Sequence, residues 1–228
     1  MSNMDSIREV GTRIWRVINQ IHPSNTYICA TGEADGCFLV DPGTDFEVAD
    51  SVLGKLGLIP GQIFATHGHF DHAAGAAFFQ DKYGADFYLH EGDLRTLRGS
   101  NFLMMAFKIP FSMKMPRVDG AKGYAATLGG RELRVLEAPG HTPGSCFLQY
   151  GDALFTGDTL YSHGVGLSKL PGGNSMQLKS TLLTCWDRLP EQTIVYPGHG
   201  DCAPFATIRK ENLPLLQFLG LAEDQVGE

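Results

Sequence analysis

Apolar positions along this chain fall into short alternating runs, broken every few residues by glycine or proline. Residues 13–18 (Arg-Ile-Trp-Arg-Val-Ile) alternate basic with apolar or aromatic side chains, the period of a strand with one wet face. That pattern assigns Arg13 and Arg16 to the surface, while residues 1–11 carry no such pattern and read as a frayed leader. Residues 25–30 and 37–40 follow as strands, joined through a glycine-bounded spacer and closed by a turn at Asp41-Pro42-Gly43. The opening is therefore antiparallel. Asp45 stands at the cap position of a helix over 46–56, whose stripe is Phe46, Val48, Ala49, Val52, Leu53 and Leu56.

The pattern then predicts a strand at 63–66, a helix to Tyr83 stopped by Gly84, a strand at 85–90 and a short helix over 91–98. Residues 99–120 break it. They hold four of the seven methionines with phenylalanines and prolines, and read as a long loop walling a pocket or tucked onto the core. Beyond it come a hairpin turn at Leu128-Gly129-Gly130, strands over 132–138, 146–150 and 153–156, and a helix over 176–189. A strand at 193–196 and a last helix over 208–219, interrupted by Pro214, complete the chain. Hairpins, a helix and a strand ending in polar residues thus occur twice. This predicts two sheets packed face to face with helices outside, rather than a doubly wound parallel sheet.

The chemistry sits at strand ends. Thr66-His67-Gly68-His69-Phe70-Asp71-His72 packs imidazoles and a carboxylate around one glycine, and these are ordinary ligands of zinc and its first-row neighbours. Alternation aims His67 and His69 at one point, while Asp71 and His72 fall where the chain turns into a helix. His141, Asp158 and His199 each follow or close a predicted strand and each touch glycine in sequence. Seven ligands are enough for two metals sharing one group.

Composition narrows the reading. The 228 residues carry a net charge of −7 and no Lys/Arg block, which argues against a nucleic-acid partner. Five cysteines without a C-x-x-C pair read as reduced thiols, and no apolar stretch approaches ~18 residues. A cytoplasmic protein without membrane attachment is expected. No glycine-rich nucleotide fingerprint is present.

The stretches Thr66–His72, Gly140-His141-Thr142-Pro143-Gly144-Ser145, Phe155-Thr156-Gly157-Asp158-Thr159 and Tyr196-Pro197-Gly198-His199-Gly200 together resemble the metallo-β-lactamase superfamily. Within it they resemble the compact glyoxalase II-like, hydroxyacylglutathione hydrolase-like proteins. The resemblance implies an α+β fold, a four-layer αββα sandwich forming one domain over 1–228 without a separate C-terminal helical domain. It implies one metal on His67, His69 and His141, a second on Asp71, His72 and His199, and Asp158 bridging them. Zinc is the first expectation, with iron or manganese as alternatives.

Such a pair holds a bridging hydroxide that is nucleophilic at neutral pH, and Asp71 is the candidate to orient it. The expected reaction is hydrolysis of a small acylated thiol resembling S-lactoylglutathione. A lactonase and a non-catalytic metal-binding or partner protein stay open as alternatives. Relatives of this kind commonly carry arginine and aspartate where Leu167 and Lys169 stand. Lys169, Tyr161, Tyr196, Met104, Phe107 and Phe111 are the candidate substrate contacts, with Thr142 and Thr159 as supports around the ligands.

Overall fold

The computed structural model describes residues 7–119, 125–166 and 169–222. The first sheet holds β1 (Ile7–Gly11), β2 (Ile14–Ile18), β3 (Asn25–Ala30), β4 (Gly36–Val40), β5 (Ile59–Phe64) and β6 (Asp86–Tyr88) in that spatial order. Its first four strands are antiparallel neighbours; β4, β5 and β6 run parallel. The crossovers between them carry α1 (Phe46–Leu56), then α2 (Phe70–Ala73) and α3 (Ala76–Tyr83). Helix α4 (Leu94–Ala106) follows β6. The second sheet mirrors the order, with β7 (Ala125–Leu128), β8 (Arg131–Glu137), β9 (Cys146–Tyr150), β10 (Ala153–Gly157), β11 (Ile194–Pro197) and β12 (Ala203–Pro204). Its helices are α5 (Ser175–Trp186), α6 (Phe205–Glu211) and α7 (Leu213–Leu219).

Strand alternation builds the layers. Along β3, Tyr27 and Cys29 face the space between the sheets while Ile28 and Ala30 face the outer helices. Along β10, Ala153 and Phe155 point inward between the sheets and Leu154 points out toward α5, α6 and α7. Ala49, Val52 and Leu53 of α1 close the first outer layer with Phe79 of α3 and Leu97 of α4; Leu178, Leu182 and Trp186 of α5 help close the second. The result is an αββα sandwich. Among the described residues no helix is long and apolar enough to cross a membrane. All five cysteines are free, with Cys29, Cys37 and Cys146 buried.

Several local readings need correction. Residues 7–11 form β1 rather than a leader. Asp45 makes no cap hydrogen bond with its own helix; its carboxylate accepts instead from the Gln20 amide at 2.8 Å. Strand β5 starts at Ile59, so Pro60 lies inside a strand, beside a register irregularity opposite Cys37. Helix α4 continues through Ala106, although Gly99, Ser100 and Asn101 have modest helix propensity. The final helices part at Asn212, whose side chain caps α7 through the Leu215 amide, and Pro214 sits in the first turn it tolerates. Arg16 is buried: its guanidinium donates to the Gly200 carbonyl at 2.8 Å and pairs with Asp201.

The edge where strands β4, β5, β8, β10 and β11 end is common to both sheets. Cys146 N donates to Thr66 O at 2.9 Å and Asn25 N to Gly198 O at 2.7 Å, so backbone bonds stitch one sheet to the other there. The rest of the contact between the sheets is aromatic. Phe38 meets Phe64 edge-on at 5.8 Å and Tyr150 at 5.1 Å, with no solvent access. Phe38→Ala is expected to lower unfolding free energy by about 3–5 kcal/mol, read from the urea midpoint. Metal stoichiometry should stay intact, because the ligand edge lies beyond the excavated layer.

Candidate metal centre

Each ligand loop leaves a strand end and is fixed by polar contacts. After β5, Thr66 N and Thr66 Oγ1 donate to the two carboxylate oxygens of Asp41, both at 2.7 Å. Asp41 Oδ2 also takes His72 Nδ1 at 3.1 Å, which turns His72 Nε2 into the cluster. A second buried carboxylate, Asp93, accepts from Gly68 N at 2.7 Å, Thr142 Oγ1 at 2.7 Å and Gly144 N at 2.8 Å. It ties the first ligand loop to the one carrying His141. His141 Nδ1 faces the Gly166 carbonyl at 3.0 Å, and His199 Nδ1 faces the Pro23 carbonyl. In both, Nε2 is left for the cluster. Gly198 is obligatory at its position: a Cβ there would come within 2.2 Å of Asp158 Oδ1 and 2.7 Å of the His72 ring.

The seven predicted ligands converge. His67 Nε2 and His141 Nε2 each lie 3.1 Å from His69 Nδ1. A tetrahedral centre with metal–nitrogen bonds of about 2.0 Å spaces its ligands about 3.3 Å apart, so the three imidazoles fit one cation. A second group follows: Asp71 Oδ2 lies 3.5 Å from His72 Nε2 and 3.4 Å from His199 Nε2. Asp158 stands between the groups, with Oδ2 3.4 Å from both His141 Nε2 and His199 Nε2, and Oδ1 3.3 Å from His72 Nε2. Triads of donor atoms suited to a cation are His67/His69/His141, His67/His72/Asp158 and Asp71/His72/His199.

Two buried atoms, His72 Nε2 and Asp158 Oδ1, have no hydrogen-bond partner. Orphaned polar atoms cost roughly 1–3 kcal/mol each when nothing satisfies them, and a cation between them would satisfy both. The donor set fits two adjacent divalent cations.

Electrostatics divides the cluster. Burial, aided by neighbouring imidazoles, pushes His67 well below its ordinary pKa and His69 down to about 4. Both are neutral, as ligands must be. Burial also presses on His72, but Asp158, Asp71 and Asp41 outweigh it and hold the imidazole up at about 9. His199 likewise resists burial through hydrogen bonds to Asp158 and Asp71, reaching about 11. Burial opposes ionisation of Asp158, yet His72, His199 and His141 keep it well below the carboxylate range.

The other expected site residues are scattered. Tyr161 is at the cluster: its ring lies 6.0 Å from that of His199, and burial followed by Asp158 raises its phenol pKa. Phe107 is half exposed and packs against His22 and Phe70, next to the ligand loop. Phe111 lines a separate apolar hollow with Phe46, Phe78 and Met113. Lys169 is exposed, and Leu167 lies outside the described residues.

Two candidates are corrected. Met104 is 1% exposed inside the first outer core, and Tyr196 packs between the sheets against Tyr27 and Phe155. In β11, Val195 faces the helices, so alternation turns Tyr196 into the inter-sheet core rather than toward the ligands. Thr142 anchors Asp93, whereas the Thr159 hydroxyl bonds the Ala138 carbonyl at 3.2 Å as a turn contact. Asp41 and Asp93 were not singled out by sequence. Asp41 had only its place at a strand end as a signal, and Asp93 had none.

Comparison with known proteins agrees with the geometry. The family model of the metallo-beta-lactamase superfamily matches residues 20–199, a span containing all seven candidate ligands. An uncharacterized protein of Aquifex aeolicus is 30% identical over 182 residues, covering 78% of this chain and 84% of that one. A hydroxyacylglutathione hydrolase of Anaeromyxobacter dehalogenans is 36% identical over 179 residues; the match covers 78% of this chain but only 62% of that protein. Among solved structures, BLEG-1 B3 metallo-beta-lactamase superposes with a TM-score of 0.80 at 27% identity, covering 89% of this chain and 99% of its own. TTHA1623 in a di-iron-bound form superposes with a TM-score of 0.78 at 30% identity, covering 87% and 98%.

The raised pKa values of His72 and His199 mean that both carry protons at pH 7 before metal binds. Loading two divalent cations should therefore expel about two protons, measured by titration calorimetry in buffers of different ionisation enthalpy. Apparent affinity should climb as pH rises from 6 toward about 9, where His72 loses its proton unaided. Loading without proton release at pH 7 would contradict this charge assignment.

Proposed function

Because this chain belongs to the metallo-β-lactamase superfamily, we propose that it is a metal-dependent hydrolase that cleaves the thioester of a small acylated thiol. The observation that carries the reading is the Asp158 carboxylate, held between two ligand groups at 3.4 Å from an imidazole of each. His67, His69 and His141 would hold one cation and Asp71, His72 and His199 the other, with Asp158 within reach of both groups. When bound, such cations supply Lewis acidity toward a carbonyl oxygen and make a water nucleophilic at neutral pH.

The chain's own residues do the rest. Asp71 Oδ2 sits against His72 and His199 with part of its carboxylate accessible, and can orient the attacking water and accept its proton. His199, with 29% of its side chain exposed, marks the open side of the cluster, while His67 and His72 are sealed beneath. Carbonyl substrates therefore approach past His199 and His69. A thiolate leaves without acid assistance, which suits a cluster whose imidazoles are committed to metal. The relative from Anaeromyxobacter, a hydroxyacylglutathione hydrolase, supports S-lactoylglutathione as the substrate to try first.

One observation favours lactones as a second reading. The Tyr161 hydroxyl lies beside Asp158 with its proton firmly held, by burial first and then by that carboxylate. An alkoxide leaving group needs such a donor.

Metal-loaded protein should hydrolyse S-D-lactoylglutathione with kcat/KM of ~10⁴ M⁻¹s⁻¹ or more, and His69→Ala should abolish turnover while preserving the circular dichroism spectrum. A rate several orders lower on fully loaded wild-type protein would sink the thioester reading. Tyr161→Phe separates the leaving groups: lactone turnover should fall by ~10²-fold or more, with thioester turnover changing far less.

A further inference from the structure

Helix α4 runs along one flank of the cluster, and a groove opens between it and the chain at Pro171 and Gly172. The groove has a volume of about 320 Å³ and reaches His69 itself. That is the small end of the range for ligand pockets, roughly 300–1,000 Å³. Its helix wall is a single stripe: Arg95, Gly99 and Phe102 stand at i, i+4 and i+7, with Leu103 beside them.

Each position of the stripe is unexplained by the fold. Arg95 is exposed and has no ion-pair or hydrogen-bond partner among the described residues. It occupies the first turn of α4, where the helix macrodipole disfavours a cation, and the Asp93 carboxylate at the N-cap is spent on Gly68, Thr142 and Gly144 rather than on Arg95. Gly99 weakens the helix interior, yet a Cβ there would meet nothing within 4 Å. No close approach within the protein demands this glycine. Phe102 leaves 67% of its surface in water two turns along from Arg95. Together they form a notch with a cation at one end, an aromatic ring at the other and a metal ligand on its lip.

We propose that this groove selects a substrate carrying an anionic, partly apolar tail. A carboxylate is bound by Arg95, the chain lies across Gly99 against Phe102 and Leu103, and the reacting carbonyl passes His69 into the cluster. The proposal rests on the hydrolase reading above and names its substrate class: a carboxylate-bearing thioester or ester, rather than a neutral one. Arg95 is thereby a specificity-determining residue, and Gly99 keeps its path clear.

Two thioesters with the same acyl group decide the matter: S-lactoylglutathione, which is anionic, and S-lactoyl-N-acetylcysteamine, which is neutral. On metal-loaded wild-type protein, kcat/KM should favour the anion by at least about tenfold, the scale of one charge-assisted contact. Arg95→Glu should erase or invert that ratio, chiefly through KM, and Gly99→Leu should raise KM for the anionic substrate by filling the notch. An unchanged ratio in Arg95→Glu would overturn the proposal even if both substrates are hydrolysed well. If neither thioester is turned over, the thioester reading fails separately, and the groove is then read by calorimetry with the unreactive thioether S-hexylglutathione. Binding at least about tenfold weaker to Arg95→Glu than to wild type would sustain the groove, and equal binding would dismiss it.

Discussion

Two buried carboxylates outside the seven-residue cluster hold its geometry. Asp93, with no solvent access, takes Gly68 from the first ligand loop and Thr142 and Gly144 from the second. Those loops leave different sheets, so the carboxylate fixes a distance that neither sheet sets alone. Asp41 does the same inside the first sheet, spending both oxygens on Thr66 and one on His72. Charge-assisted bonds of this kind are among the strongest available to a loop. They help short, glycine-bearing loops present their donor atoms 3.1–3.5 Å apart.

The sandwich makes that arrangement possible because strands of both sheets end at one edge. Parallel pairing of β4 with β5 and of β10 with β11 brings Asp41 beside Thr66 and Asp158 beside His199. Antiparallel neighbours would have sent alternate loops to the far edge. The parallel pairs are buried between helices and partner strands, and their residues are correspondingly apolar on both faces: Ile63 and Phe64, Leu154 and Phe155, Val195 and Tyr196.

This architecture marks what a sequence can disclose and what it cannot. The converging candidate ligands were legible because their positions are local statements: histidine or aspartate with glycine, directly after a short apolar run. The layer arrangement was legible from period-2 alternation and hairpin turns. Tyr196 misled because closeness in sequence to His199 says nothing about which face of β11 a side chain occupies. Met104 misled because a run of methionine and phenylalanine after Gly99 reads as irregular, whereas packing on the first sheet carries the helix through it and buries one side. Arg16 resembled a surface residue because its partners, Gly200 and Asp201, are 184 and 185 positions away. Asp93 left no trace in sequence for the same reason: its meaning lies wholly in tertiary contacts.

The electrostatic asymmetry of the cluster shows how the chain folds around so much buried charge. His67 and His69, pressed by burial, are neutral and add no charge to the first group. The second group concentrates the carboxylates Asp71 and Asp158, and it is there that His72 and His199 gain protons. Two imidazoliums face the carboxylates Asp71 and Asp158, with Asp41 behind His72, so folding buries paired rather than uncompensated charge, which would cost several kcal/mol per ion. The protons occupy the electrostatic place of the second cation. Exchange of protons for metal then leaves the sum of charge in the pocket higher but its carboxylates still paired.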